Sequence, residues 1–366
     1  MYLFLITFFL VYVSMHFYLF LKAKAAFTFG PLVSIPLILF MAGMVFSPLT
    51  IRSLERYGLE SAARLTAYIG YTWMGVLFLF VSASILIDLC RKTGLLRIPP
   101  RISFFIPILI SMSIATYGYF EALDIRTEMV IVKTPKIPKS IGRLRVVQIS
   151  DVHLGLIVRE ERLKRILNEV KSAEPDLLVS TGDMVDGQID NLTGLAELLN
   201  EISPRYGKFA VTGNHEFYAG LANSLDFTKK AGFKVLRGES ISVAGILNIA
   251  GVDDPAGKPF GLFADIQEKG LLSTLPQETF TLLLKHRPEV DKDARGLFDL
   301  QLSGHVHKGQ IFPFSIITRL FYPVRAGEMN VIDGASLYVS RGSGTWGPPI
   351  RFLSPPEVTV IDIMSN

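Results

Sequence analysis

The chain has 366 residues, 49% of them hydrophobic, with a formal net charge of +4 and one cysteine. That length favours two domains over one, and a lone Cys90 excludes an internal disulfide. Residues 1–121 carry nine Lys/Arg against four Asp/Glu, a net of +5, which leaves residues 122–366 at −1. The basic balance therefore belongs to the apolar part and does not mark a nucleic-acid-binding surface.

In chain order, four uncharged apolar runs come first, at 1–21, 25–51, 65–87 and 102–120. Each is close to the ~20 residues that cross ~30 Å of hydrocarbon as a helix. Pro31, Pro36, Pro48 and Pro107 fall inside them, which neighbouring transmembrane helices tolerate. The first run has no basic residue before it and is longer than a signal h-region, so it reads as a retained span rather than a cleaved signal. His16 lies within it and is expected to pack against a neighbouring helix. Residues 1–121 thus read as a four-helix, multi-pass anchor whose partner is the lipid bilayer. Lys22, Lys24, Arg91, Lys92, Arg97 and Arg101 place the first and third loops in the cytoplasm, and the C-terminal domain outside it. Arg126, Lys133, Lys136, Lys139, Arg143 and Arg145, just after the last run, pull the other way.

Residues 122–142, with Pro135 and Pro138, read as an extended linker, and 143–366 as the second domain. Strands are expected at 144–150, 176–180, 208–212, 246–250, 280–285, 299–303, 336–339 and 357–361. Helices are expected at 161–172, 192–202 and 221–231. The first of these helices places Leu163, Ile166, Leu167 and Val170 at helical spacing. Strands alternating with helices imply an α/β fold with parallel pairing, and the strand-rich end implies a mixed or second sheet.

The chemistry lies where these strands end. They run into Asp151-Val152-His153, Gly182-Asp183-Met184-Val185-Asp186, Gly213-Asn214-His215-Glu216, His286-Arg287-Pro288 and Gly304-His305-Val306-His307. Five of the six histidines fall in these blocks. In α/β sheets the carboxyl ends of strands are where ligands bind. Asp, Asn and neutral His supply oxygen and nitrogen ligands, which suit Mn²⁺, Fe or Zn²⁺ better than soft-metal chemistry. Seven candidate ligands exceed what one tetrahedral zinc needs, so two ions are expected. Gly182, Gly213 and Gly304 permit tight exits and close backbone approach.

These blocks, in this order, resemble the calcineurin-like metallophosphoesterases over about 144–363. The resemblance implies a four-layer αββα sandwich of two mixed sheets and a phosphoester or diphosphate substrate. It implies one metal held by Asp151, His153, Asp183 and His307, and a second held by Asp183, Asn214, His286 and His305. Manganese is the first expectation for both, with iron or zinc the others. His215 would face the phosphate and, with Asn214, carry catalysis; Asp186 and Glu216 would orient ligands. The block continues as Lys308-Gly309-Gln310, where relatives often have small residues, which puts local substrate contacts in question. The run at 338–351 is similar to a membrane-attached bacterial branch, some of it similar to UDP-2,3-diacylglucosamine diphosphatases of lipid A synthesis. The chain also resembles transmembrane proteins with a metallophosphoesterase domain. A bacterial inner-membrane location and a lipid-linked diphosphate follow as expectations. Arg287, Arg341 and Arg351 are candidates for binding a second phosphate by bidentate contacts, with ordinary ion pairs as the other reading. Asp253 and Asp254 fall in a turn composition and read as structural.

Two other classes compete with the enzyme. A metal-binding sensor or scaffold without catalysis would bind metal and hydrolyse nothing. A transporter with a regulatory domain would carry polar groups at mid-membrane and more helices with repeat symmetry, whereas these four runs are almost entirely apolar.

Overall fold

The computed structural model describes residues 2–187, 192 and 194–366. The chain divides into two compact units, Met1–Phe120 with Gly347–Phe352, and Glu121–Trp346 with Leu353–Asn366.

The first unit contains α1 (Tyr2–Phe27), α2 (Pro31–Arg56), α3 (Glu60–Lys92) and α4 (Pro100–Glu121). All four are long and apolar enough to cross a membrane. At 1.5 Å per residue the shortest still reaches about 33 Å. Small residues bring α2 and α3 together: Ala63, Ala67 and Gly70 are buried on α3, and a Cβ at Gly70 would stand 2.6 Å from the Ser47 hydroxyl. Such close approach is how apolar helices associate without a hydrophobic drive between them. His16 packs as the sequence suggests. Its Nε2 accepts the Trp73 indole N–H at 2.9 Å, which leaves Nδ1 to donate to the Tyr12 carbonyl at 2.8 Å.

The second unit runs β1 (Arg126–Thr134), β2 (Arg143–Ile149), α5 (Glu160–Ser172), β3 (Leu177–Ser180), α6 (Leu195–Asn200), β4 (Lys208–Ala210), α7 (Asn214–Ala219) and α8 (Leu221–Lys230). It continues through β5 (Lys234–Val235), β6 (Glu239–Val243), β7 (Leu247–Gly251), α9 (Glu268–Leu272), β8 (Phe280–Leu284), β9 (Leu300–Ser303), α10 (Phe314–Phe321), β10 (Met329–Ile332), β11 (Ala335–Val339) and β12 (Glu357–Ser365). One sheet has the order β1-β12-β2-β3-β4-β5 and the other β10-β11-β9-β8-β7-β6. Both are mixed. β2 to β5 run parallel with β12 antiparallel to β2, while β7, β8, β9 and β11 run parallel between antiparallel edges β6 and β10.

The alternation of strand side chains decides the layering. Leu144, Val146, Leu177 and Val179 from one sheet meet Leu247, Ile249, Leu282 and Leu302 from the other in a single buried cluster. The outer face of the second sheet, with Ala250 and Leu283, is covered by Leu272 of α9 together with Ala294 and Phe298. On the first sheet α5 buries its apolar stripe of Leu163, Ile166, Leu167 and Val170 and touches β12. Two mixed sheets with flanking helices in an α/β fold is the architecture expected.

The linker expected at 122–142 is a correction. Residues 126–134 form β1, which pairs in parallel with β12 along nine residues, from Arg126↔Glu357 to Thr134↔Ser365. Its pattern is mostly exposed, as an edge strand with one covered face should be. The charges and the following prolines therefore imitate a linker. The helix expected at 192–202 spans 195–200; Thr193 lies outside the described residues, as does Met1 of the first apolar run.

Candidate metal centre

The carboxyl ends of β2, β3, β4, β8 and β9 each lead into one of the five polar blocks. Three loops are shaped by residues in the left-handed region: Asp151 (φ 52°), His153 (φ 53°), Asp183 (φ 51°), His305 (φ 72°) and His307 (φ 47°). A side chain in that region costs on the order of 1–3 kcal/mol and persists only where the surroundings over-determine it. Five such residues, all expected ligands, is strain concentrated at one site. The glycines between them are required by space. A Cβ at Gly213 would collide with the Asp183 carboxylate, and one at Gly304 with the Ser150 hydroxyl and the Asp151 carboxylate.

Ligand atoms converge in three sets among the described residues; one joins His153, Asp186 and His215, and the other two hold the expected ligands. Of these two, Asp151, His153 and His307 form one, Asp183, His286 and His305 the other, and within each the atoms lie within 4.8 Å of one another. In the first, His153 Nε2 stands 3.0 Å from His307 Nε2, which is 3.3 Å from Asp151 Oδ1. In the second, His286 Nε2 is 3.2 Å from Asp183 Oδ2, 3.2 Å from Asn214 Oδ1 and 3.1 Å from His305 Nδ1. Asp183 Oδ2 also lies 3.9 Å from His153 Nε2, so this one oxygen faces both sets.

The donor chemistry fits metal ions. His286 Nδ1 lies 2.8 Å from the Thr181 carbonyl. That contact makes Nδ1 the donor and turns Nε2, as an acceptor, towards the oxygens of Asp183 and Asn214. Acceptors gathered on acceptors in a buried place require positive charge. The electrostatics agree. Burial alone would depress His286 and His215, but the negative charge of Asp183 outweighs it, with Asp186 also acting on His215, and both are pushed up to about 10. Burial works against the charge on Asp183 too, yet the charges of His286, His215 and His153 hold its carboxyl well below the usual range. A field that negative favours divalent cations, and a bound cation would take the place of the proton that the carboxylates otherwise draw to His286 Nε2.

Two residues tie the loops together. Glu216 is buried and accepts from the backbone N–H groups of Gly213 (2.6 Å), Met184 (2.7 Å) and Asp183 (3.0 Å). It locks the Asp183 loop to the start of α7, whose His215 N–H donates to Asp183 Oδ1 at 2.8 Å. Asp186 places Oδ1 3.0 Å from His215 Nδ1 and 3.4 Å from His153 Nδ1. Gln310 holds the backbone of Trp346 by two hydrogen bonds of 2.9 Å, and the Trp346 ring centre comes 6.1 Å from that of His215. The departure from small residues after the last block thus sets an aromatic residue beside the site, which sequence reasoning missed. Tyr218 and Tyr322 stand likewise against His215 and His305.

The three candidate arginines part company. Arg287 remains at the rim, its Nε and Nη2 bonded to Asp254 at 2.8 and 3.0 Å, with a quarter of its side chain exposed. Arg341 is a correction: it is buried, bonded to Glu128 and 2.7 Å from Glu357, so its guanidinium is already spent on carboxylates. Arg351 is another, since it is fully buried within the first unit. Asp253 is structural, accepting from Thr212 at the exit of β4 and from Arg237.

Comparison with known proteins converges on the same blocks. The calcineurin-like phosphoesterase family model matches residues 144–309. An uncharacterized metallophosphoesterase of Aquifex aeolicus is 42% identical over 69% of this chain and 97% of its own length. A transmembrane protein with a metallophosphoesterase domain from Danio rerio is 33% identical over 69% of this chain. An uncharacterized metallophosphoesterase of Campylobacter jejuni is 34% identical over 62% of it. The chain spans about three fifths of the length of each of the last two.

Proposed function

The chain belongs to the calcineurin-like phosphoesterase family and is a metal-dependent phosphoester hydrolase; from that premise we propose that it works with two divalent ions, manganese first, on a phosphodiester or diphosphate carried by a membrane lipid. The observation that carries the dinuclear reading is Asp183 Oδ2, which faces a histidine of each ligand set.

Asp151, His153, Asp183 and His307 would hold one ion, and Asp183, Asn214, His286 and His305 the other. When bound, such a pair supplies a hydroxide near neutral pH and neutralises charge on the phosphoryl oxygens. His215 is fixed through Nδ1, 3.0 Å from the Asp186 carboxylate and 2.9 Å from its carbonyl, so Nε2 is the nitrogen it turns to substrate. In its protonated form it would hydrogen-bond a phosphoryl oxygen and pass its proton to the leaving oxygen. The Asn214 amide orients the same phosphoryl group, and Arg287 sits one residue from His286 to meet a second phosphate.

A lipid-linked substrate, such as the diphosphate of UDP-2,3-diacylglucosamine, gives the four apolar helices and the centre a common purpose. We read the helices as a multi-pass anchor in a bacterial inner membrane, with the catalytic domain on the extracytoplasmic side by the loop charges. The test is Mn²⁺-dependent hydrolysis of bis(p-nitrophenyl) phosphate by the full chain in detergent, beside Asp183→Ala. Turnover in the first with none in the second supports the reading. Equal turnover in both, or none in a metal-loaded wild type with any phosphodiester or diphosphate, overturns it.

A further inference from the structure

α10 is built inside out. Its sequence, Phe314 to Phe321, is strongly amphipathic, yet no residue of it is buried. The side against the protein is the polar one. Ser315 and Thr318, with Tyr322 beyond the helix end, line the space against Val306 and Lys308. The apolar side faces out: Leu320 is 78% exposed, Phe321 77% and Ile316 56%, with Phe312, Phe314 and Ile317 also exposed. Helices of water-soluble domains turn the other way, and a contiguous exposed apolar face marks an interaction surface.

This helix is also fastened to the metal-ligand loop. Gly309, two residues after His307, has φ 78°, and a Cβ there would collide with the backbone of Ser315 in the first turn of α10. At the other end Tyr322 places its ring 5.4 Å from that of His305. Whatever covers the apolar face of α10 therefore lies one helix away from the loop that carries His305 and His307.

The chain itself argues for the occupant. Four of its helices are apolar enough to lie in a bilayer, and only residues 122–125 separate the end of α4 from β1, a tether of about 14 Å at most. Arg319 and Lys308 line the crevice on the inner, polar side of α10 with Ser315 and Thr318, so cations flank the outward apolar side, the pairing that suits an interface with phosphate headgroups. We propose that α10 is an interfacial docking helix that lays the rim of the metal centre on the lipid surface, so that the centre takes phosphoester headgroups of membrane lipids rather than soluble esters. This rests on the phosphoesterase reading for its substrate, but the docking itself does not.

The test uses the full chain with Cys90→Ser, reconstituted in nanodiscs of phosphatidylcholine and phosphatidylglycerol. An environment-sensitive fluorophore is placed at Leu320→Cys, at Phe321→Cys and, as an aqueous control, at the exposed Glu328→Cys. Doxyl-labelled lipid should lower the emission at 320 and 321 by about twofold and leave 328 unchanged, as for an apolar face sunk into the headgroup boundary. Aqueous iodide should quench 328 alone. Iodide quenching of 320 as strong as that of 328 overturns docking, and so does a 320 label reached by neither quencher, which would mean a protein surface covers it. Hydrolysis of bis(p-nitrophenyl) phosphate by the same preparations reports separately on the phosphoesterase, so its failure would leave the depth result standing.

Discussion

The core between the sheets and the rim of loops above it obey opposite rules. Between the sheets, Val146, Val179, Leu282 and Leu302 interdigitate as apolar side chains on extended backbone. At the rim, within a few residues of the same strands, five ligand residues take left-handed backbone and polar ligand side chains alternate with buried Val152, Met184, Val185 and Val306. The rim cannot hold that shape by itself. It is held because the strands below fix each loop's ends and because Glu216 and Asp186 fix the loops to one another. Stability in this domain is therefore made in one region and used in the other, which is how strained functional sites persist.

The largest effect that would separate the two regions belongs to His215. Replacing it with Ala removes a proton donor and leaves both ligand sets intact, so kcat should fall roughly 10²–10⁴-fold with metal content by elemental analysis and melting temperature nearly unchanged. Loss of bound metal in this variant would show that His215 is a ligand and that the division of roles is wrong.

Gly304→Ala attacks the rim from the backbone. The new methyl group collides with the Ser150 hydroxyl and the Asp151 carboxylate, so Asp151 must move. One metal equivalent should be lost, and activity should recover only in part at high Mn²⁺. Full metal content at low Mn²⁺ would show that the loop relaxes freely and that its strain is incidental. Leu282→Ala is the converse change, made in the core. Leu282 is fully buried, so the cavity should cost about 2–5 kcal/mol, read as a lower denaturation midpoint. Below that midpoint kcat should match wild type, and a parallel loss of kcat would join the regions that the comparison separates.

How much of this was legible beforehand follows the same line. The five blocks could be read because ligand chemistry needs particular residue types at particular spacings, and the core strands because burial needs apolar ones. What the sequence concealed depends on distant partners. Arg341 looks like a phosphate ligand until Glu128 and Glu357 arrive beside it from β1 and β12. β1 reads as a linker because an edge strand leaves half its residues in water. α10 went unseen because the usual rule, apolar side inward, is inverted there. Gln310 registered only as an unusual residue, and its grip on Trp346 is a contact across 36 positions.

The smallest effect probes the seam that fastens β12 to β2. Asp362 and Arg145 are register partners, and Arg145 Nε and Nη2 donate to the two carboxylate oxygens at 2.7 and 2.8 Å. The hydrogen bonds from Arg145 hold the Asp362 carboxyl below its ordinary range, burial opposing them. Because the folded value lies below the unfolded one, the pair's stabilisation is fully present above the unfolded carboxylate pKa. It drains away as pH falls through the depressed value. Asp362→Asn should therefore cost about 2 kcal/mol at neutral pH, with kcat unaffected. The gap between the two unfolding curves should hold steady down to about pH 4 and close below it. A gap independent of pH through that acid window would mean that shape rather than charge joins these strands. The seam would then belong with the core, where packing alone sets stability, and not with the charged contacts that shape the rim.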